Sequence, residues 1–225
     1  MADIQQLSRE KRQFLNAIFI PSIIALLMII IFVLEKGMGW DFHTGGVFPR
    51  RIENLWGIFT LVFVHADLGH LTNNVISFVI LASLLYYFYM QIANKVMLVS
   101  YVASGLILWV IGRDSWHIGA SGLIYSLAFF LFFSGMIRKH VQLIAISLIV
   151  AFVYGGMIWH IFPWQVNDPI SWEGHLAGGV IGFLLSIYYR NEGPQKPVHV
   201  WEEEDDSIDY SFDENDESDA SAEEE

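Results

Sequence analysis

The sequence predicts an all-α polytopic membrane protein of six helices, and three observations carry that prediction. Of 225 residues, 54% are hydrophobic and only 16% charged, with a mean hydropathy of +0.45. The apolar residues come in long runs, not at amphipathic spacing, so lipid is the solvent for most of the chain. Six such runs can be drawn, at residues 14–34, 71–89, 96–111, 122–136, 141–161 and 174–189. Spanning a bilayer takes about 20 helical residues. The fourth and sixth runs fall short of that, which predicts helices starting below the membrane surface, inside protein or a wet cavity.

The first run lacks a small-residue cleavage site after a short apolar core and reads as a retained helix, not a removed signal peptide. With the N-terminus inside, the inner segments carry Arg9, Lys11, Arg12, Lys95, Arg138, Lys139, Arg190 and Lys196. The outer ones carry Lys36, Arg50, Arg51 and Arg113. Lysine and arginine favour the cytoplasmic side, so both termini are expected there, with the long 35–70 loop outside. Three parts follow: a cytoplasmic arm at 1–13, a membrane domain at 14–190, and a tail at 191–225. From Trp201 onward the tail has 14 acidic side chains and no basic one. A segment so charged repels itself and builds no core, so disorder is expected. Cysteine is absent, which excludes disulfides and thiolate metal sites. No internal repeat marks a transporter of two similar halves.

The chemistry gathers at the heads of three runs. The fourth opens with His117-Ile-Gly119-Ala120-Ser121-Gly122. Small residues around Ser121 let other backbone approach its hydroxyl, and the helix N-terminus supplies free N–H groups for an anion. The second opens with His65-Ala-Asp-Leu-Gly-His70-Leu-Thr-Asn-Asn74. His70 and Asn74 are four apart and share a helical face. On spacing alone an interhelical hydrogen-bond pair, or a histidine cap at a helix start, is the more usual explanation. The sixth carries His175 and a seam of Gly174, Gly178 and Gly182, a smooth face on which another helix can pack. If that partner is the Ser121 helix, an imidazole meets a hydroxyl. Tyr125, one turn below Ser121, can then stack on the ring. Serine needs a base to become a nucleophile, and His175 can take that role and return the proton to a leaving amine. Glu173, two residues before His175, points elsewhere on a helix. Candidate donors to the oxyanion are the Ser121 amide and the side chains of His70 and Asn74.

These residues resemble the rhomboid family of intramembrane serine proteases. The resemblance rests on His65-x4-His70-x3-Asn74, Gly119-x-Ser121-Gly122 with Tyr125, and His175-x2-Gly178-x3-Gly182. It implies a six-transmembrane-helix rhomboid-like bundle with a cavity open to the outer side. Ser121 would be the nucleophile and His175 the base, with His70, Asn74 and the Ser121 amide at the oxyanion. Gly119, Tyr125, Gly178 and His65 would be supporting residues. Family members often carry a Trp-Arg pair in the first loop; here that loop offers Trp40-Asp41 and, separately, Phe48-Pro-Arg-Arg51. The 162–171 loop is expected to act as a lid. The implied partners are single-pass transmembrane protein substrates within the lipid bilayer of a bacterial inner membrane, with no nucleic acid, metal or cofactor. Substrate segments that unwind easily, with a small residue at the cut, are favoured because the scissile backbone must leave its helical hydrogen bonds.

Two other readings stand beside this one. The first is a catalytically inactive rhomboid-like protein that binds membrane proteins; retention of both Ser121 and His175 argues against it. The second is a small transporter or channel using His65, His70 and His175 as a proton or metal site. Asp67 is the one carboxylate close to His65 and His70 in sequence, and a histidine metal site usually has more ligands. The remaining histidines, His43, His117, His140, His160 and His199, read as loop or interface residues.

Overall fold

The structure is a computed structural model, and it describes residues 2–164 and 170–197. All six predicted segments are helical. In chain order they are α1 (Ala2–Met38), α2 (Leu68–Phe88), α3 (Ala93–Ile111), α4 (Ser121–Arg138), α5 (Val141–Tyr154) and α6 (Trp172–Tyr188). Five stretches are long and apolar enough to cross a membrane: Gln5–Met38, Leu68–Phe88, Ala93–Ile111, Ser121–Arg138 and Val141–Ile161. α6, with 17 residues, is shorter than these.

Two boundaries differ from the sequence reading. α1 starts at Ala2, so residues 2–13 of the arm are helical and continuous with the first span. No glycine stands before Gly37, and Pro21 is accommodated inside the helix. The fifth run is α-helical only to Tyr154 and continues to Ile161 as a 3-10 helix. Gly155 and Gly156 mark the change, as expected where two residues of low helix propensity adjoin. The acidic tail from 198 on and the middle of the expected lid, 165–169, lie outside the described residues.

The buried order of the helices explains how a catalytic-type pair could be assembled. α4 is the central helix, buried on most sides, and α6 packs along it. A methyl group built on Gly178 would fall onto the Gly122 carbonyl oxygen, and one on Gly182 onto the Ser126 carbonyl oxygen. Backbone therefore meets backbone along this seam, which only glycine permits there. Behind α4, α3 is held by a hydroxyl pair: Ser126 Oγ donates to Ser100 Oγ at 2.8 Å. Such bonds join helices where no hydrophobic gain separates protein from lipid. At the far end of the bundle, buried Arg138 donates to Ser134 Oγ and to the carbonyls of Tyr189 and Pro194. It ties the C-terminal end of α4 to the chain leaving α6.

The loop between α1 and α2 is built of short 3-10 turns, one of them Ile52–Phe59. That turn buries Gly57 and Ile58 and exposes Ile52, Leu55, Trp56 and Phe59. Among the described residues the only strand-like pairing is a bridge between Val47 and His117. Each backbone N–H donates to the other residue's carbonyl at 2.9 Å. The first loop thus clasps the segment that leads into α4.

Candidate active site

Ser121 is the first residue of α4, and its N-cap, Ala120, contributes no side-chain bond. The amides of that first turn are left without a side-chain cap, as an anion-binding helix end requires. Gly119 precedes with φ +101°, a left-handed conformation that side chains beyond glycine rarely adopt. Its N–H donates to the Leu61 carbonyl at 2.8 Å. The sharp bend delivers Ser121 at the head of the helix.

His175 lies one turn into α6, after an N-cap at Ser171 whose hydroxyl accepts from the Gly174 amide at 3.3 Å. The His175 ring is buried, and its two nitrogens face different partners. Nδ1 stands 3.0 Å from the His160 carbonyl oxygen. Nε2 stands 3.0 Å from Ser121 Oγ. A carbonyl only accepts, so Nδ1 carries the hydrogen and Nε2 presents a lone pair to the serine hydroxyl. That is the tautomer a general base needs. The Tyr125 ring stacks on the imidazole with centroids 4.2 Å apart and planes within 8°. Tyr125 is itself held by its hydroxyl, which donates to the Met157 carbonyl at 2.7 Å.

His70 and Asn74 approach from α2. A methyl group built on Gly119 would lie 2.5 Å from His70 Nε2 and 3.1 Å from Asn74 Nδ2. Both nitrogens therefore converge on the bend two residues before Ser121. Asn74 Nδ2 is buried and has no hydrogen-bond partner. A buried amide left unbonded costs about 1–3 kcal/mol, and it is an available donor beside the serine. His65 packs edge-on against His70, with ring centroids 5.0 Å apart. His65 is 1% exposed. Burial foremost, then the neighbouring His70 charge, pushes it down to about 4, against a weaker upward pull from the Phe63 backbone and Asp67. His65 is thus neutral at ordinary pH and supports His70 by packing. Asp67 caps α2 by accepting the His70 amide at 2.9 Å. That bond foremost holds its carboxyl below the usual range.

Ser121, His175, Tyr125, Gly119, His70, Asn74 and His65 are thus drawn to one end of the bundle. Ser121, His175 and Tyr125 touch one another, and Gly119 brings His70 and Asn74 alongside. Among the described residues no group of three His, Asp or Glu is placed to hold a metal ion. A cavity of about 20 Å³ lies behind Ser121, bordered by Tyr101, Ser104, Leu108, His117 and Ser171. That is room for about one water.

The structure adds partners that sequence reasoning passed over. The orienting acceptor for His175 is a backbone carbonyl, that of His160, which no side-chain pattern announces. Glu173 does turn away from His175, as its position on the helix predicts. It is buried, with Oε1 accepting from the Arg113 amide at 3.2 Å and 3.7 Å from Arg113 Nε. His117, read as a loop or interface residue, is 2% exposed and hydrogen-bonded to Ser171 beside the site. The signal available was its adjacency to the Gly119–Gly122 stretch.

With that geometry in hand, comparison with known proteins is decisive about kinship. A family model for the rhomboid domain matches residues 53–192. The chain belongs to the rhomboid family. It is also 31% identical over 203 residues to an uncharacterized protein of Mycobacterium tuberculosis, covering 87% of this chain and 83% of the relative. Rhomboid-related protein 1 of Caenorhabditis elegans is 27% identical over 159 residues, covering 64% of this chain and 43% of that protein. Rhomboid-related protein 2 of Mus musculus is 27% identical over 151 residues, with 63% and 49% covered. Family membership and the apolar helices together make this rhomboid an integral membrane protein.

Proposed function

We propose that this rhomboid is an intramembrane serine endopeptidase that uses a Ser121–His175 dyad to cut transmembrane segments of other membrane proteins near their outer end. The observation that carries the proposal is the 3.0 Å contact from His175 Nε2 to Ser121 Oγ, with Nδ1 committed to the His160 carbonyl. Ser121 Oγ attacks the scissile carbonyl carbon as its proton passes to His175 Nε2. The oxyanion forms beside the Ser121 amide, Asn74 Nδ2 and His70 Nε2, donors that are in place before charge develops. The intermediate collapses, the C–N bond breaks, and His175 hands its proton to the leaving amine. A water molecule, for which the cavity behind Ser121 has room, then attacks the acyl-serine. His175 takes its proton and returns one to Ser121 Oγ as the carboxyl product leaves. Tyr125 keeps the imidazole from rotating out of line between the two halves.

The same reading places both termini on the cytoplasmic side of a bacterial inner membrane, on the distribution of 8 of the 12 lysines and arginines. Single-pass membrane proteins entering laterally from the bilayer are then the substrates. The test uses the full chain purified in detergent, a fluorophosphonate probe and a model single-span substrate. Wild type labels and cleaves, and Ser121→Ala does neither. His175→Ala loses cleavage. A folded wild type that neither labels nor cleaves would overturn the proposal in favour of an inactive, membrane-protein-binding rhomboid.

A further inference from the structure

Four residues before each member of the Ser121–His175 contact stands a second pair with the residue types exchanged. His117 Nδ1 lies 2.6 Å from Ser171 Oγ, and His117 Nε2 lies 3.1 Å from the Arg113 carbonyl oxygen. The carbonyl can only accept, so Nε2 carries the hydrogen and Nδ1 is a bare lone pair. The Ser171 hydroxyl therefore donates to His117, while its oxygen accepts the Gly174 amide and caps α6. Burial holds His117 below its ordinary pKa, which keeps the ring in the uncharged form this arrangement needs.

Both ends of this bond are anchored. His117 is fixed to the first loop by its two backbone bonds with Val47. It leads through the Gly119 bend to Ser121 in four residues. Ser171 caps α6, and His175 follows one turn later, its amide donating to the Ser171 carbonyl at 3.2 Å. A helix cap needs only an oxygen at position 171. The further bond to His117 links the entry to α4 with the entry to α6, and so bears on the distance across the dyad.

We infer that His117 and Ser171 are positioning residues, whose hydrogen bond sets the register of α6 against the Ser121 bend and so holds His175 Nε2 at 3.0 Å from Ser121 Oγ. The inference rests on the Ser121–His175 hydrolytic reading. Neither residue touches the reacting atoms. Their loss acts on turnover through geometry, where a misplacement of about 1 Å can cost about 100-fold.

The experiment compares full-length His117→Phe, His117→Asn, Ser171→Ala, Ser171→Gly and the double variant His117→Phe/Ser171→Ala in detergent. Thermal unfolding is followed alongside kcat, KM and the rate of fluorophosphonate labelling. His117→Phe and Ser171→Ala are each expected to lower kcat and labelling about 10- to 100-fold, with KM within about threefold. The double variant is expected to be no worse than the poorer single one, because both remove the same bond. His117→Asn, whose Oδ1 can accept where Nδ1 did, is expected to recover most of the activity. If His117→Phe does not fold, Ser171→Gly carries the comparison, since helix N-caps tolerate glycine at little cost. A folded variant with wild-type kcat, losses that multiply in the double variant, or an Asn no better than Phe overturns the inference. Active wild type with an indifferent His117→Phe sinks this inference alone. Wild type that neither labels nor cleaves sinks the dyad reading and this one with it.

Discussion

Replacing Gly178 with alanine tests whether helix proximity, and not residue identity alone, makes the dyad. The added methyl would be placed onto the Gly122 carbonyl oxygen and 3.1 Å from Tyr125 Cβ. The oxygen belongs to backbone within a helix, so it has no rotamer by which to move aside. α6 must retreat from α4 by on the order of 1 Å to restore contact distance. Gly122 adjoins Ser121, and Gly178 lies three residues after His175, so the retreat carries through to the dyad. A separation of 3.0 Å would become about 4 Å, past hydrogen-bond reach. Overpacking of this kind costs about 1–3 kcal/mol of stability. The misplacement should cost about 100-fold in turnover, equivalent to about 2.7 kcal/mol of barrier. Fluorophosphonate labelling rates and cleavage in liposomes measure the second effect, and thermal unfolding measures the first. Gly182→Ala, whose methyl meets the Ser126 carbonyl one turn further from the dyad, should lose stability with a smaller loss of turnover. Gly156→Ala, with nothing within 4 Å of the new methyl, serves as the neutral control. A folded Gly178→Ala that labels within threefold of wild type refutes the reasoning.

Other perturbations separate the remaining parts. Asn74→Ala should lower kcat by about 100- to 1000-fold, as removal of one oxyanion donor does. It should leave the melting temperature nearly unchanged, because Nδ2 has no partner to lose; a large drop in melting temperature would show a structural role instead. Tyr125→Phe loses only the bond to the Met157 carbonyl and should keep cleavage within about threefold. Tyr125→Ala loses the stacked ring as well, and at about 0.5–1.5 kcal/mol for such a pair should fall by about 2- to 10-fold. Equal activity in the two variants would count against the stack. Stability should also fall with acidification. His65 has a folded pKa of about 4, below its ordinary 6.5, so the unfolded chain binds the proton first. No contribution exists above pH 6.5, and the cost grows as pH drops from there toward 4, to on the order of 3 kcal/mol. His65→Phe should flatten that slope in unfolding measured between pH 7 and 4, and an unchanged slope would exclude His65 as its source.

Much of this protein was legible in its sequence because lipid is a strict solvent. Long apolar runs satisfy their own backbone hydrogen bonds as helices, so the six runs at 14–34 through 174–189 correspond to α1 to α6 with ends displaced by only a few residues in most cases, and five stretches are long and apolar enough to cross a membrane. Local spacing likewise placed Ser121 with Tyr125 and His70 with Asn74, since a period of 3.6 fixes which neighbours share a face. The glycine row in α6 announced a backbone-close seam before its partner was known. Where the rules weaken, so did the reading: the arm merged into α1, and the paired Gly155 and Gly156 turned the last part of the fifth run into a 3-10 helix.

What no local rule could supply was the meeting of segments remote in the chain. Ser121 and His175 lie 54 residues apart, and nothing within either helix states that their faces coincide. The His160 carbonyl that sets the His175 tautomer is a backbone group, invisible to any pattern of side chains. His117 reads in sequence only as a loop or interface residue and Ser171 only as the end of the expected lid, because their partnership exists only once α4 and α6 are docked. Sequence determined the helices and the inventory of chemical groups, since both follow from local periodicity and solvent. The tertiary structure alone decided which groups touch and in which protonation form, because hydrogen bonds between distant segments depend on packing that has no local signature.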